Sequence, residues 1–360
     1  HSKFAFIETN SPGLTELSHT NITPDNADYS ELQAKEGDQI RFTIRADDDL
    51  YFHASDNGGP WPKVQIAKRS GTLNDPSLTT VSQVNSSQYL ATYTMDANDD
   101  EGILEFRVQF LDEVGNAGTA VVALVGDANQ IEYDITNPAI NTFTYVSNNP
   151  NSNLAKVGDR ITVAIRTSDE IQTPIVSIAD GTISSGLTTG TCPDGQVCVS
   201  RTDDQNFEAT YVMRASDVPT DEISISMDYK DLAGNEPADA NNDSDASLVP
   251  IKFDPTTPKL TTVTYATDNP NGDTYAKVGD NITINVVSDE VLASPPLAVL
   301  FGVSGISVDQ KAGGVANREF ERTIVVTASD QGGMSEGTID NATENANNFK
   351  IYNYSDAAGN

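Results

Sequence analysis

Residues 34–49, 155–170 and 276–290 of this chain are copies of one segment, reading AKEGDQIRFTIRADDD, AKVGDRITVAIRTSDE and AKVGDNITINVVSDE. The aspartate of the shared turn falls at Asp38, Asp159 and Asp280, at a constant spacing of 159 − 38 = 121 and 280 − 159 = 121 residues. Solenoid repeats recur at roughly 20 to 50 residues, so a period this long that returns with its turn and strand intact marks whole tandem domains. The 360 residues therefore hold three, each large enough to bury a core of its own.

A second recurring element sets the joints. IEYDITNP (131–138) and IKFDPTTP (251–258) each give an alternating strand, an acid and a proline four positions on, and the N-terminal HSKFAFIETNSP carries the same frame in Glu8 and Pro12. The expected division is residues 1–8 as the last strand of a preceding repeat, then repeats over 9–134, 135–254 and 255–360, the third without its last strand. Two readings of that arrangement stand: an array cut out of phase, or donor-strand exchange in which residues 4–8 of one chain complete the third repeat of the next.

Inside each repeat the pattern is that of short strands. IRFTIRA, ITVAIRT and ITINVVS alternate apolar and polar residues, as a half-buried sheet position requires. A proline-led strand follows (WPKVQIA, TPIVSIA, PPLAVLF), then QYLATYTM, NFEATYVM and EFERTIVV. The sixth strand runs into a polar turn: LDEVGN ending at Asn116, KDLAGN at Asn235 and SDAAGN at Asn360. In the third repeat an asparagine-rich insertion over 341–348 delays that strand. About seven such strands per repeat, with no helical periodicity, is the pattern of a β-sandwich.

Composition narrows the function. With 53 Asp and Glu against 21 Lys and Arg, the formal net charge is −32. Such a surface repels phosphate backbones and anionic lipid, which disfavours nucleic-acid partners and makes divalent cations natural ones. No apolar run approaches the roughly 18 residues of a membrane-spanning helix. Cys192 and Cys198 flank a Pro-Asp-Gly turn. Zinc would need further ligands, and only His1, His19 and His53 exist, so the pair is expected to form a local disulfide, which suits an oxidising, extracytoplasmic setting. A loop this short adds only about 2 kcal/mol.

Taken together, AKVGD-strand-SDE, the proline-led strand, YxATYxM, D-x-A-G-N and FD-x-x-x-P resemble the tandem immunoglobulin-like repeats of prokaryotic surface proteins, among them giant adhesins and some S-layer proteins. The resemblance covers almost the whole chain and implies three tandem immunoglobulin-like β-sandwiches arranged as an extended rod, at the cell surface. It implies an adhesin stalk first, an S-layer lattice or donor-strand filament subunit second, and neighbouring domains or other copies of the same protein as partners. Carbohydrate-binding modules of a secreted enzyme are the alternative from a different class.

In that fold the loops after the second and sixth strands meet at the N-terminal pole, beside the linker. The residues expected to converge are Glu8, Asp48, Asp49, Asp112 and Asn116 at repeat one. At repeat two they are Asp134, Asp169, Glu170, Asp231 and Asn235, and at repeat three Asp254, Asp289, Glu290, Asp356 and Asn360. Calcium takes six to eight oxygen ligands from carboxylates, amides and carbonyls on loops, so Ca2+ at each joint is the expected cofactor. Asp and Asn also suit turns for backbone reasons alone. Catalysis is not expected: no histidine recurs between repeats, and acids copied at equivalent places in three domains read as structural. Tyr51, Phe52 and Trp61 around HASDNGGPW are a candidate sugar-stacking surface in repeat one.

Overall fold

The computed structural model describes all residues except 1–7, 24–31, 57–58, 126–129, 183–185, 189, 238–248, 273–274, 302 and 331–348. Residues 4–7 of the expected donor strand and the asparagine-rich insertion lie outside the described residues.

The chain is all-β, and each repeat closes two sheets on one another. In repeat one a four-stranded antiparallel sheet runs in the order Leu14–Asn21, Gln39–Ala46, Gln88–Thr94, Thr80–Asn85. Its second strand places Ile40, Phe42 and Ile44 in the core, as alternation demands, with Arg41, Thr43 and Arg45 facing outward. Opposite it, Lys63–Ile66 pairs with Phe106–Gln109, and single bridges from Val108 to Val121 and from Leu111 to Ala117 extend this sheet by a final strand. That last segment resumes at Glu132–Tyr133, which pairs antiparallel with Gly102–Ile103 and parallel with Gln33–Ala34. Strands one, two, five and four in one sheet, faced by three, six and seven, give the immunoglobulin-like arrangement.

Repeat two repeats it: Ile140–Ser147, Arg160–Thr167, Asn206–Val212 and Cys198–Asp203 form one sheet, Ile175–Ile178 with Ile225–Asp228 the other, and Leu154–Ala155 lies parallel to Lys252–Phe253. Cys192 and Cys198 are disulfide-bonded. Repeat three has the same four-stranded sheet (Leu260–Thr267, Asn281–Ser288, Glu319–Val325, Asp309–Gln310), while its second sheet is Val303–Ser307, Leu297–Leu300 and Phe349–Tyr352.

Two packing features separate the repeats. Ile131 and Tyr133 in repeat one, and Ile251 and Phe253 in repeat two, bring the last strand into the core, each under 3% exposed. Burying one such side chain contributes about 1.5–3 kcal/mol. The residues equivalent to these in repeat three would follow Asn360.

The fifth strand also ends differently. Tyr93 Oη donates to both carboxylate oxygens of buried Asp99 (2.9 and 2.8 Å), and Tyr211 Oη to those of Asp217 (2.9 Å each), with Arg69 and Arg214 closing the outside. Burial, followed by the bond to Asp217, pushes the Tyr211 phenol up to about 12. Repeat three carries Ile324 in place of the tyrosine, and among the described residues its Asp330 carboxylate bonds Thr327.

One expectation needs correcting. Trp61 does not begin the third strand; it ends Gly59–Trp61, which pairs with His53–Asp56 in a separate hairpin, and the sheet strand starts at Lys63.

Candidate metal centre

The site is assembled at the N-terminal pole of each repeat by three short segments. The first is the turn after the sixth strand. Asp112 accepts the amides of Val114 (3.0 Å) and Asn116 (2.7 Å) on Oδ1 and the Asn116 side chain (2.6 Å) on Oδ2. Asp231 does the same with Gly234 and Asn235, and Asp356 with Asn360. The turn needs glycine before the asparagine, since Gly115, Gly234 and Gly359 sit at φ of 98, 93 and 82°. All three aspartates are buried, at 1, 1 and 4% exposure.

The asparagine joins this turn to the second segment, the linker. Its Nδ2 also donates to the backbone carbonyl of Glu8 (3.3 Å), Asp134 (2.9 Å) or Asp254 (2.8 Å). Asn116, Asn235 and Asn360, expected as ligands, therefore act with their amide nitrogen as straps that hold the linker acid over the buried aspartate.

The third segment follows the second strand. Gly13 N, Ala139 N and Lys259 N bond to Asp47 Oδ1, Ser168 Oγ and Asp289 Oδ1 respectively, so those three side chains are equivalent and fasten the edge of the sheet. The residues after them, Asp48, Asp169 and Glu290, are half-buried and face the site, whereas Asp49 and Glu170 are exposed. Asp289 is thus a clasp to the first strand, and Glu290 alone takes the place of Asp169. The repeat period already carried this: 290 − 169 = 121 and 169 − 48 = 121. The shared string SDE, shifted by one residue in repeat three, obscured it.

Three carboxylates meet at the pole of repeat three, the one such group among the described residues. Oxygens of Asp254, Glu290 and Asp356 lie within 4.8 Å of one another. At the pole of repeat two, Asp134 is raised from its ordinary value by burial and then by the charges of Asp231 and Asp169. Asp231 is raised by burial, with Asp169 adding to it against the opposing turn hydrogen bonds. At repeat one, Glu8 is raised first by the charge of Asp48, then by burial and a shared hydrogen bond with Asp48, with Asp112 contributing. Glu290 is raised by burial and by Asp254, Asp356 and Asp289. Two like charges about 4 Å apart repel by about 1 kcal/mol in water and about 4 kcal/mol near a protein surface. No Lys or Arg forms an ion pair with these trios among the described residues. Asp254, Glu290 and Asp356, three carboxylates from three loops, could hold a hard divalent cation through oxygen ligands alone, with carbonyls and water completing the coordination.

Each inner pole is also a contact between repeats. Lys35 Nζ of repeat one donates to Gly234 O of repeat two (3.1 Å), and Lys156 Nζ of repeat two donates to Gly359 O of repeat three. Asn149 Nδ2 adds a bond to Ala358 O (2.9 Å), while within repeat two Tyr229 Oη bonds Pro138 O (3.4 Å). Ala233 and Ala358, at the middle of their turns, are buried, while Val114 at the same place in repeat one is 55% exposed.

The aromatic candidates do not share a platform. Phe52 packs toward the core against Tyr89, Tyr51 stacks on His53, and Trp61 is covered by Lys63.

No family model matches the chain, and no curated protein is similar to it. Among solved structures the chain is similar to the I-band fragment I67-I69 from titin (9% identity, 90% of this chain and 92% of that one, TM-score 0.38). It is also similar to a marsupial T cell receptor (9% identity, 86% and 99% covered, TM-score 0.33). No helix among the described residues is long and apolar enough to cross a membrane.

Proposed function

We propose that this chain is an extracellular structural module of a cell-surface protein, a stalk whose repeats are fixed end to end by calcium bound at their poles. The observation that carries this is the trio Asp254, Glu290 and Asp356, whose oxygens lie within 4.8 Å of one another and which the linker and two loops of the following repeat build jointly, with Asp134, Asp169 and Asp231 at the equivalent positions of repeat two. A cation bound there ties the linker to the next domain and removes the repulsion that opposes their close approach. The Cys192–Cys198 disulfide and the net charge of −32 suit an oxidising, calcium-rich exterior. A structural task, and not catalysis, fits acids that recur in every repeat.

Small-angle scattering of the full chain is the test. Calcium is expected to lengthen and narrow the distribution of interatomic distances relative to chelator, as hinged repeats become a rigid rod. Identical curves in the two conditions would contradict the proposal.

A further inference from the structure

The tyrosine–aspartate pairs of the first two repeats are sealed by arginines that come from different places. In repeat two Arg214 is engaged on several sides: Nε donates to Tyr211 Oη (2.9 Å) and Asp217 Oδ1 (3.2 Å), and Nη2 to Asp217 Oδ1 (3.1 Å) and the Asp180 carbonyl (3.4 Å). The cysteine loop lies across it, pinned by Thr182 N to Gly195 O (2.8 Å), and a Cβ added at Gly195 would stand 2.2 Å from Arg214 Nη1. Repeat one exchanges the parts. Counted from the equivalent left-handed residues Ala67 and Ala179, Arg69 stands where Gly181 does, and Asp96 takes the place of Arg214 after the fifth strand. Arg69 spends Nη2 alone on Asp96 and Asp99 (3.2 Å each), and its Nε has no partner among the described residues.

Beside Arg69 lies a cavity of about 410 Å³, within the roughly 300–1,000 Å³ of small-molecule sites. Its floor is the outer face of the four-stranded sheet. Thr92 and Thr94, two apart on one strand, face the same way, and Thr80 and Gln39 stand directly opposite them on the two neighbouring strands, about 4.8 Å off. Arg69 and Asp96 form one wall, and Leu78, 51% exposed on the short turn capped by Asp75, forms another. The arginine is positioned from behind: Asp99, which anchors it, is itself held by Tyr93 Oη and by Asn74 Nδ2 (2.8 Å each). In repeat two Cys198 and Val212 replace Thr80 and Thr94, so the equivalent face lacks two of the hydroxyls.

We propose that this cavity of repeat one binds a neutral saccharide. The hydroxyls of Thr80, Thr92 and Thr94 and the amide of Gln39 each both donate and accept, which matches the hydroxyls of a sugar ring. Arg69 Nη1 supplies a charge-assisted donor, Asp96 an acceptor, and Leu78 an apolar contact for a C–H face. Two carboxylates beside one guanidinium leave the wall negative, which turns away acidic sugars and phosphates. The site goes beyond the structural reading of the chain and needs no cation.

Saturation-transfer NMR of the full chain with maltose, cellobiose, lactose, mannobiose and glucuronate tests it, run in chelator so that the outcome is independent of calcium. The expected result is transfer to at least one neutral disaccharide, saturating in the millimolar range, and none to glucuronate. Thr80→Val and Thr92→Val, each keeping a strand-compatible side chain, should weaken that binding about three- to tenfold with the melting temperature unchanged, as loss of a hydrogen bond predicts. Thr210→Val, at the place of Thr92 in repeat two, should leave it as it was. No transfer to any of the four disaccharides, transfer to glucuronate equal to theirs, or binding indifferent to both Thr80→Val and Thr92→Val overturns the proposal.

Discussion

Asp112 and Asp231 occupy the same turn in consecutive repeats, equally buried and bonded to the same asparagine and amides, yet they are poised in opposite directions. At Asp112 burial pushes upward, but the hydrogen bonds from Asn116, Gly115 and Val114 outweigh it and the carboxyl sits below its ordinary value. At Asp231 burial prevails and the charge of Asp169 adds to it, so the carboxyl sits above. What differs is the neighbour. Repeat one closes over the Asp231 turn through Lys35 and buries Ala233, while the turn at Asp112 keeps Val114 in solvent. Docking one repeat on another dehydrates the acidic pole, and a dehydrated cluster of carboxylates is the one that gains most from a cation.

The comparison can be broken at several points. Asp231→Ala removes the acceptor of the Gly234 and Asn235 amides and of the Asn235 strap, and should destabilise repeat two by about 2–3 kcal/mol in denaturant unfolding. In chelator at neutral pH Asp112→Ala should cost somewhat more, because ionised Asp112 is favoured by its hydrogen bonds while ionised Asp231 is disfavoured by burial. Calcium shifts the balance: at ten times the dissociation constant a site adds about 1.4 kcal/mol. Asp231→Ala should forfeit the larger part of that gain, read as the calcium-induced rise in melting temperature.

Lys35→Ala tests the neighbour directly. Losing one charge-assisted bond to a carbonyl should lower stability by about 0.5–1.5 kcal/mol and loosen the coupled unfolding of repeats one and two. Asp169→Asn should be nearly neutral in chelator, since it removes repulsion on Asp134 and Asp231, while lowering calcium affinity; calorimetry of the variant reads both. The smallest effect is in titration. By carboxyl NMR in chelator, Asp231 should titrate above the usual aspartate value and Asp112 below it. The signs follow. The contribution of Asp231 is present below its unfolded pKa and lost as pH rises through the raised one, while that of Asp112 is present above its unfolded pKa and lost as pH falls through the lowered one.

Much of this was legible in the sequence because strands, turns and linkers recur with a period. The alternation of IRFTIRA, the D-x-A-G-N turns and the linker acids could be laid on one another, and they placed Asp134, Asp169 and Asp231 at one pole. Two local bonding roles were not read. Asp289 matched the string SDE yet bonds Lys259, and Asn235 had a ligand's chemistry yet donates its amide nitrogen. Side-chain identity alone does not say which atom of an amide faces a carboxylate. The Tyr93–Asp99 and Tyr211–Asp217 pairs did carry a signal, an aspartate six residues after the tyrosine in both repeats, with Ile324 breaking it before Asp330. The bonds from Lys35 and Lys156 carried none, since they exist only once two repeats meet end to end.

Isothermal titration of calcium into the chelator-treated full chain tests the central claim most directly. The account predicts uptake at the two inner poles, with Asp169→Asn and Glu290→Gln each removing or weakening one of them. No heat beyond dilution, with a melting temperature indifferent to calcium, would contradict it.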